Sequence, residues 1–175
     1  MAHGFIRDPL DERLLILYIL DRLILPVTMA ELTDLAMCDG GMNYFRFTDA
    51  LGALTENGQV LRDGDGRLSI TEEGREICAL CATELPRSVR TRCDGNTQAL
   101  NRALKRRSQV RAVITPLPGR ERCQVELILD DDAGNVMTLH LTAPDRIQGE
   151  LLAERFQARP DRVYQAVLNA LLEED

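Results

Sequence analysis

The sequence predicts an α+β protein built as two small folded parts joined by a long helix. Three features predict it. Three short helical patterns lead into an Asp-Gly hairpin, a long helical stripe with a basic side follows, and three alternating strands then precede two more helical stretches. The boundaries fall at residues 1–85, 86–108 and 109–175, and a chain of 175 residues suits two small cores better than one large one.

The first helix is expected from Asp8-Pro9, a cap followed by a residue whose fixed φ suits a first helical turn. Behind it, "LLILYIL" at 14–20 is too continuously apolar for a one-sided helix, so this helix should be buried on more than one side. Thr28 and Glu31 have capping-box spacing and start the second helix, with Leu32 and Leu35 inward and Gly40-Gly41 as its stop. "GGMNYFRFTDAL" at 40–51 opens the third, which runs to about Asn57-Gly58 and turns Phe47, Ala50, Leu51 and Leu54 to one face. Phe47 is expected in the core, and Tyr44 or Phe45 is expected to pack at the helix entry as a hydrophobic staple. "QVLRDGDGRLSI" reads as strand, turn and strand, because Asp-Gly between alternating apolar residues favours a hairpin, and Thr71 then caps a further helix.

Three helices, a hairpin and a helix opening on "ITEEG" follow the order of a winged helix-turn-helix. The chain also resembles the domain-of-unknown-function 4364 family over nearly its full length, in "RLLILYIL", "MNYFRFTDALGALTENG", "LSITEEG", "ELPRSVR", "ALNRALKRR" and "VMTLHLTAP". That resemblance implies a small bacterial protein with an N-terminal winged helix and a regulatory role. It brings no ligand, target or catalytic residue with it.

Pro86 opens a long helix to about Arg107, with Val89, Cys93, Leu100 and Leu104 as its apolar stripe and Gly95 as a candidate kink. Arg90, Arg102, Lys105, Arg106 and Arg107 lie off that stripe. Val110, Ala112 and Ile114, then Cys123, Val125, Leu127 and Leu129, then Met137, Leu139 and Leu141 alternate as three strands, with "PLPGRE" and "DDDAGN" as turns. Their common apolar face needs cover. Two helices, from Pro144 and from Pro160, offer it with Ile147, Leu151, Leu152 and Phe156, then Val163, Val167, Leu168 and Leu171. The expected architecture is therefore an N-terminal winged helix-turn-helix, a long linking helix, and a C-terminal three-stranded antiparallel sheet covered by two helices.

Composition narrows the function. The apolar run at 14–20 is too short for a membrane span, and Asp8, Asp11 and Glu12 ahead of it do not suit a signal peptide, so a cytoplasmic protein is expected. Five cysteines, an odd number, fit a reducing compartment. Cys78 and Cys81 form a C-x-x-C pair inside a helical pattern, and neither Cys38, Cys93 and Cys123 nor His3 and His140 complete a zinc motif; small buried apolar residues are the plainer reading. Asp130, Asp132 and Gly134 partly mimic a calcium loop, but Leu141 stands where the twelfth-position Glu belongs, so a hairpin turn is expected. No nucleophile-base constellation or phosphate loop occurs, and neither an enzyme nor a cofactor or metal is expected.

The net charge of −7 is unevenly spread: residues 1–86 carry −8, residues 87–120 carry +8, and residues 121–175 carry −7. A winged helix would read DNA with its third helix and hairpin. Candidate DNA-binding residues are thus Asn43, Tyr44, Arg46 and Thr48 on the helix, Arg62 and Arg67 on the hairpin, and Arg102, Lys105 and Arg106 on the long helix. Asp49 and Glu56 on the same third-helix face oppose phosphate, and the basic long helix would serve equally to neutralise acidic surface on this chain or a second subunit. A homodimeric DNA-binding regulator is the first expectation; a winged-helix module that docks another protein and does not bind DNA is the alternative.

Overall fold

Capping chemistry sets where the first helices begin. In the computed structural model, which describes residues 6, 8–37, 40–118 and 121–173, helix α1 (Pro9–Asp21) starts on Asp8, whose carboxylate accepts from the Leu10 amide at 2.8 Å. Helix α2 (Met29–Ala36) carries the predicted capping box, with Thr28 Oγ1 accepting from the Glu31 amide and Glu31 Oε2 from the Thr28 amide. Helix α3 (Tyr44–Glu56) starts on Asn43 and helix α4 (Glu72–Cys81) on Thr71. Helix α2 stops earlier than Gly40-Gly41: Leu35 and Ala36 are its last buried residues, and the amide of Met37 folds back on Thr33. Cys38, and His3 in the N-terminal stretch, lie outside the described residues.

The chain divides into two compact units, Met1–Leu104 and Lys105–Asp175. In the first, every residue from Leu14 to Leu20 is buried, so α1 is enclosed as its unbroken apolar run requires. Leu32 of α2, Phe47, Leu51 and Leu54 of α3 and Cys78 of α4 belong to the same core. Strands β1 (Val60–Arg62) and β2 (Leu68–Ile70) pair antiparallel around the turn at 63–66, where Gly66 takes φ +76°. Val27, between α1 and α2, pairs with Leu68 through amide–carbonyl bonds in both directions (3.0 and 2.7 Å), adding a single β-bridge on the free edge of β2.

After a 3₁₀ turn at Ala82–Glu84, helix α5 (Arg87–Gln109) runs through Gly95 as one helix. A polar clamp holds its first part to the end of α1. Asp94 accepts from the Tyr18 hydroxyl at 3.0 Å and from Arg22 Nε at 2.7 Å, with the Arg22 guanidinium over the Tyr18 ring. Asn101 donates to the Arg22 carbonyl and accepts from the Ile24 amide, satisfying backbone that the end of α1 leaves open. Burial first, and the bond to Asp94 second, hold the Tyr18 hydroxyl above its ordinary pKa.

The second unit is a sheet of β3 (Val110–Pro116), β4 (Cys123–Asp130) and β5 (Asn135–Ala143), antiparallel in that order. Register aligns the predicted apolar rows: Ala112 faces Leu127 and Leu127 faces Leu139, while Ile114, Val125 and Leu141 form the next row. The tip of the β3–β4 turn, residues 119–120, lies outside the described residues. The Asp-rich turn is a hairpin whose carboxylates are already engaged. Asp130 holds Asn135 and Arg111, Asp132 holds Lys105 and Gln109, and both titrate below the ordinary carboxylate range for that reason.

Cover of the sheet differs from expectation. Helix α6 (Arg146–Ala158) supplies it, with Leu152, Ala153 and Phe156 turned inward and Gly149 so close that a β-carbon there would sit 2.7 Å from Cys123 Sγ. Helix α7 (Pro160–Leu172) adds Val163 to that cluster, but Ile147 and Leu151 of α6 and Leu171 of α7, all expected inside, are exposed.

Gly74 and Gly52 make a matched test of the first unit. A β-carbon at Gly74 would strike the Gln59 carbonyl oxygen and come within 2.8 Å of Ile70, whereas at Gly52 it would meet open space on an exposed helix. Chemical denaturation should therefore show Gly74→Ala destabilised by about 2 kcal/mol or more and Gly52→Ala stabilised by roughly 0.5–1 kcal/mol. A neutral Gly74→Ala would mean that α4 does not approach the hairpin this closely.

Candidate nucleic-acid interface

The entrance of α3 is built on a cap. Asn43 Oδ1 accepts from the Arg46 amide at 3.0 Å, which fixes the first turn and leaves its amide group exposed. With Asn43 as cap, the residues before it and four after it are Met42 and Phe47, the positions of a hydrophobic staple, and both are buried in the core. Neither Tyr44 nor Phe45 fills that role, as had been expected of one of them. They stand outside, 55% and 79% exposed, as an edge-to-face pair with ring centres 6.3 Å apart.

Arg46 turns inward. Its Nη1 donates to the Gly41 carbonyl at 3.0 Å and its Nε meets Glu12 Oε1, a charge contact without hydrogen-bond alignment. Glu12 is 4% exposed, on the helix that the core surrounds. Burial dominates there and lifts the Glu12 carboxyl above its ordinary pKa; Arg46 opposes the shift, and the charges of Asp8, Asp11 and Asp49 add to it. Glu12 is the site residue that sequence reasoning missed. The signal was its position one turn ahead of Leu15 and Ile16, on a helix already expected to be buried all round.

The remaining positions are mixed. Thr48 donates its hydroxyl to the Phe45 carbonyl, and Asp49 and Glu56 are exposed on the same helix. On the hairpin, Arg62 is exposed, while Arg67 is half-buried with Nη1 directed at the Pro26 carbonyl, 3.5 Å away. Arg102 and Arg106 are exposed on α5, and Lys105 meets Asp132 at 2.7 Å in a solvent-exposed pair that is worth little and easily exchanged. Asn43, Tyr44, Arg46 and Thr48 thus gather on the first turns of α3, with Arg62 and Arg67 on the hairpin. Arg102 falls in the first unit, Lys105 and Arg106 in the second.

Cys78 is buried in α4 and its thiol is held above the ordinary range by that burial, while Cys81 is half-buried. His140 lies 3.9 Å from Glu126 and 3.4 Å from Gln124 on the exposed face of the second-unit sheet. No helix among the described residues is long and apolar enough to cross a membrane.

Residues 12–171 match a family described as Domain of unknown function (DUF4364). The chain belongs to that family. No curated protein and no solved structure matches it. For this DUF4364 member the match begins at Glu12, so it takes in both partners of the Glu12–Arg46 pair, together with the hairpin and the second unit.

The pair gives a pH signature. Because the folded Glu12 carboxyl titrates above its unfolded value of 4.5, the folded state holds its proton more tightly, and stability falls as pH rises from that value through the folded pKa. Glu12→Gln, which resembles the protonated form, should flatten this slope in denaturation midpoints measured between pH 4 and 7, with no loss of stability at pH 7. Arg46→Ala should deepen the slope and cost about 2 kcal/mol at pH 7, below the range for a wholly buried pair because Arg46 is one-third exposed. An unchanged slope in both variants would remove Glu12 as its source.

Proposed function

We propose that this protein is a winged-helix DNA-binding regulator that acts without catalysis in the cytoplasm and works as a homodimer. The observation that carries the reading is the pairing of Val27 with Leu68. A single β-bridge thus joins the segment between the first and second helices to the hairpin, and the order helix, bridge, helix, helix, strand, turn, strand supports a winged-helix reading. In that arrangement α3 is the helix offered to the major groove. Asn43, Tyr44 and Thr48 then supply donors and acceptors for base edges, and Arg62, with Arg67 behind it, supplies the wing's positive charge. The exposed Arg102 and Arg106, and Lys105 through exchange with Asp132, offer phosphate contacts along α5. Arg46 acts in this reading as the residue that anchors α3 rather than as a base reader.

A second reading, a module that docks another protein, is favoured by the exposed Tyr44–Phe45 pair and by Asp49 and Glu56 on the same helix. The two readings separate in one titration. At low salt, fluorescence anisotropy with random-sequence duplex DNA should show binding that weakens steeply as salt rises. Arg62→Ala with Arg67→Ala should weaken it and reduce the slope of log affinity against log salt by roughly 1 to 2. Absence of any DNA binding at 50 mM salt would dispose of the DNA reading and leave the protein-docking one. Arg46→Ala is unsuited to this test because it also loosens the core around Glu12.

A further inference from the structure

The second unit covers its last helix only in part: Val163 packs on the sheet cluster, while Ala166 and Ala170 are exposed. Helix α6 has two opposite faces: Gly149, Leu152, Ala153 and Phe156 turn to the sheet, while Ile147, Leu151 and Ala158 fall at i, i+4 and i+11 on the side turned away. The corner between α6 and α7 is the single residue Arg159. From there Val163, Ala166, Val167 and Ala170 form a helical stripe that, with Leu151 and Ala158, lines an open groove of about 860 Å³. Ile147, 80% exposed, continues the apolar surface along α6, and Leu171, 76% exposed and one turn beyond Val167, continues it along α7. A 13-residue helix is marginal in water without packing, and a monomer seldom leaves a continuous apolar surface of this extent open.

We infer that a second copy of the chain docks in the α6–α7 groove, with the two α7 helices antiparallel about a twofold axis. Charge selects that occupant. Arg155, Arg159 and Arg162 cluster around the corner, with Glu154 as the acid among the lining residues. Beyond Arg162 the sequence has no cation, and α7 runs out to Glu173, where the negative pole of the helix also lies. Antiparallel pairing sets the acidic, carbonyl-rich end of each α7 against the arginine corner of the other, twice by symmetry. Parallel pairing would set arginine against arginine. The same patch serves on both copies, as a closed dimer requires, and it buries Leu171 along with the stripe. This interface rests on the homodimer part of the reading above and is independent of whether DNA is bound.

Sedimentation equilibrium on the full chain, from about 1 to 100 μM, tests it. The wild type should be a dimer, and Leu171→Glu, at an exposed position, should leave the circular dichroism spectrum unchanged and raise the dimer Kd at least about tenfold. Arg162→Glu should weaken the dimer, and adding Glu173→Arg in the same chain should restore it, because only the antiparallel arrangement brings those two positions together. A wild type that stays monomeric throughout the range overturns the inference, as does a dimer undiminished by Leu171→Glu or a charge reversal that the second reversal does not rescue. A wild-type dimer lost in Leu171→Glu upholds the interface whether or not the protein retards DNA, so the two readings fail separately.

Discussion

The first unit depends on enclosing α1. Seven consecutive apolar residues, Leu14 to Leu20, can be shielded only if other elements surround the helix, and α2, α3 and α4 with the hairpin do so. Enclosure takes in what lies at either end. Toward the N-terminus it draws in Glu12, whose carboxylate then needs a cation, and Arg46 of α3 is turned inward to meet it. Toward the C-terminus it buries Tyr18, whose hydroxyl reaches Asp94 of α5 beneath the Arg22 guanidinium. One helix thereby settles which cation α3 cannot offer to a partner and where the long helix attaches.

That constraint bears on recognition. A helix entering a DNA groove normally brings both base contacts and positive charge, yet α3 spends its arginine on the core and shows Asp49 and Glu56 to solvent. Recognition of DNA would therefore divide the labour. In the proposed reading the start of α3 would contribute shape and hydrogen-bonding groups through Asn43, Tyr44 and Thr48, while the positive charge would come from the hairpin and α5. Affinity in such an arrangement comes from few phosphate contacts and needs a second reading head to become useful, which ties the weak charge of α3 to the case for a dimer.

Local chemistry was legible in the sequence; distant pairing was not. The caps at Asp8, Thr28 and Thr71 and the rows of the three-stranded sheet follow from neighbours a few residues apart or from a period of two, so spacing alone defines them. The staple was misplaced because its position depends on the cap: with Asn43 capping α3, the staple falls on Met42, and Tyr44 and Phe45 become first-turn residues pointing outward. The Glu12–Arg46 pair joins residues on different helices, and nothing in the spacing of either helix announces the other. Arg46 looked available on α3 because periodicity gives the direction of a side chain on its own helix and says nothing of a buried charge waiting on the next.

The partial cover of α7 follows from the width of the sheet. Three strands at a spacing of about 4.8 Å set the outer strands roughly 10 Å apart, which is close to the diameter of one helix with its side chains. Helix α6 lies against it so tightly that Gly149 has no room for a β-carbon beside Cys123, and once it is in place little apolar sheet is left for a second helix. The apolar periodicity of α7 is nonetheless as strong as that of a core helix, with Val163, Val167 and Leu171 on one side of it. Periodicity records that a face is to be buried and is silent about what buries it. In this unit α6 takes most of the sheet, so Val163 alone of that row joins the core cluster and the rest of the apolar side of α7 faces the groove beside α6.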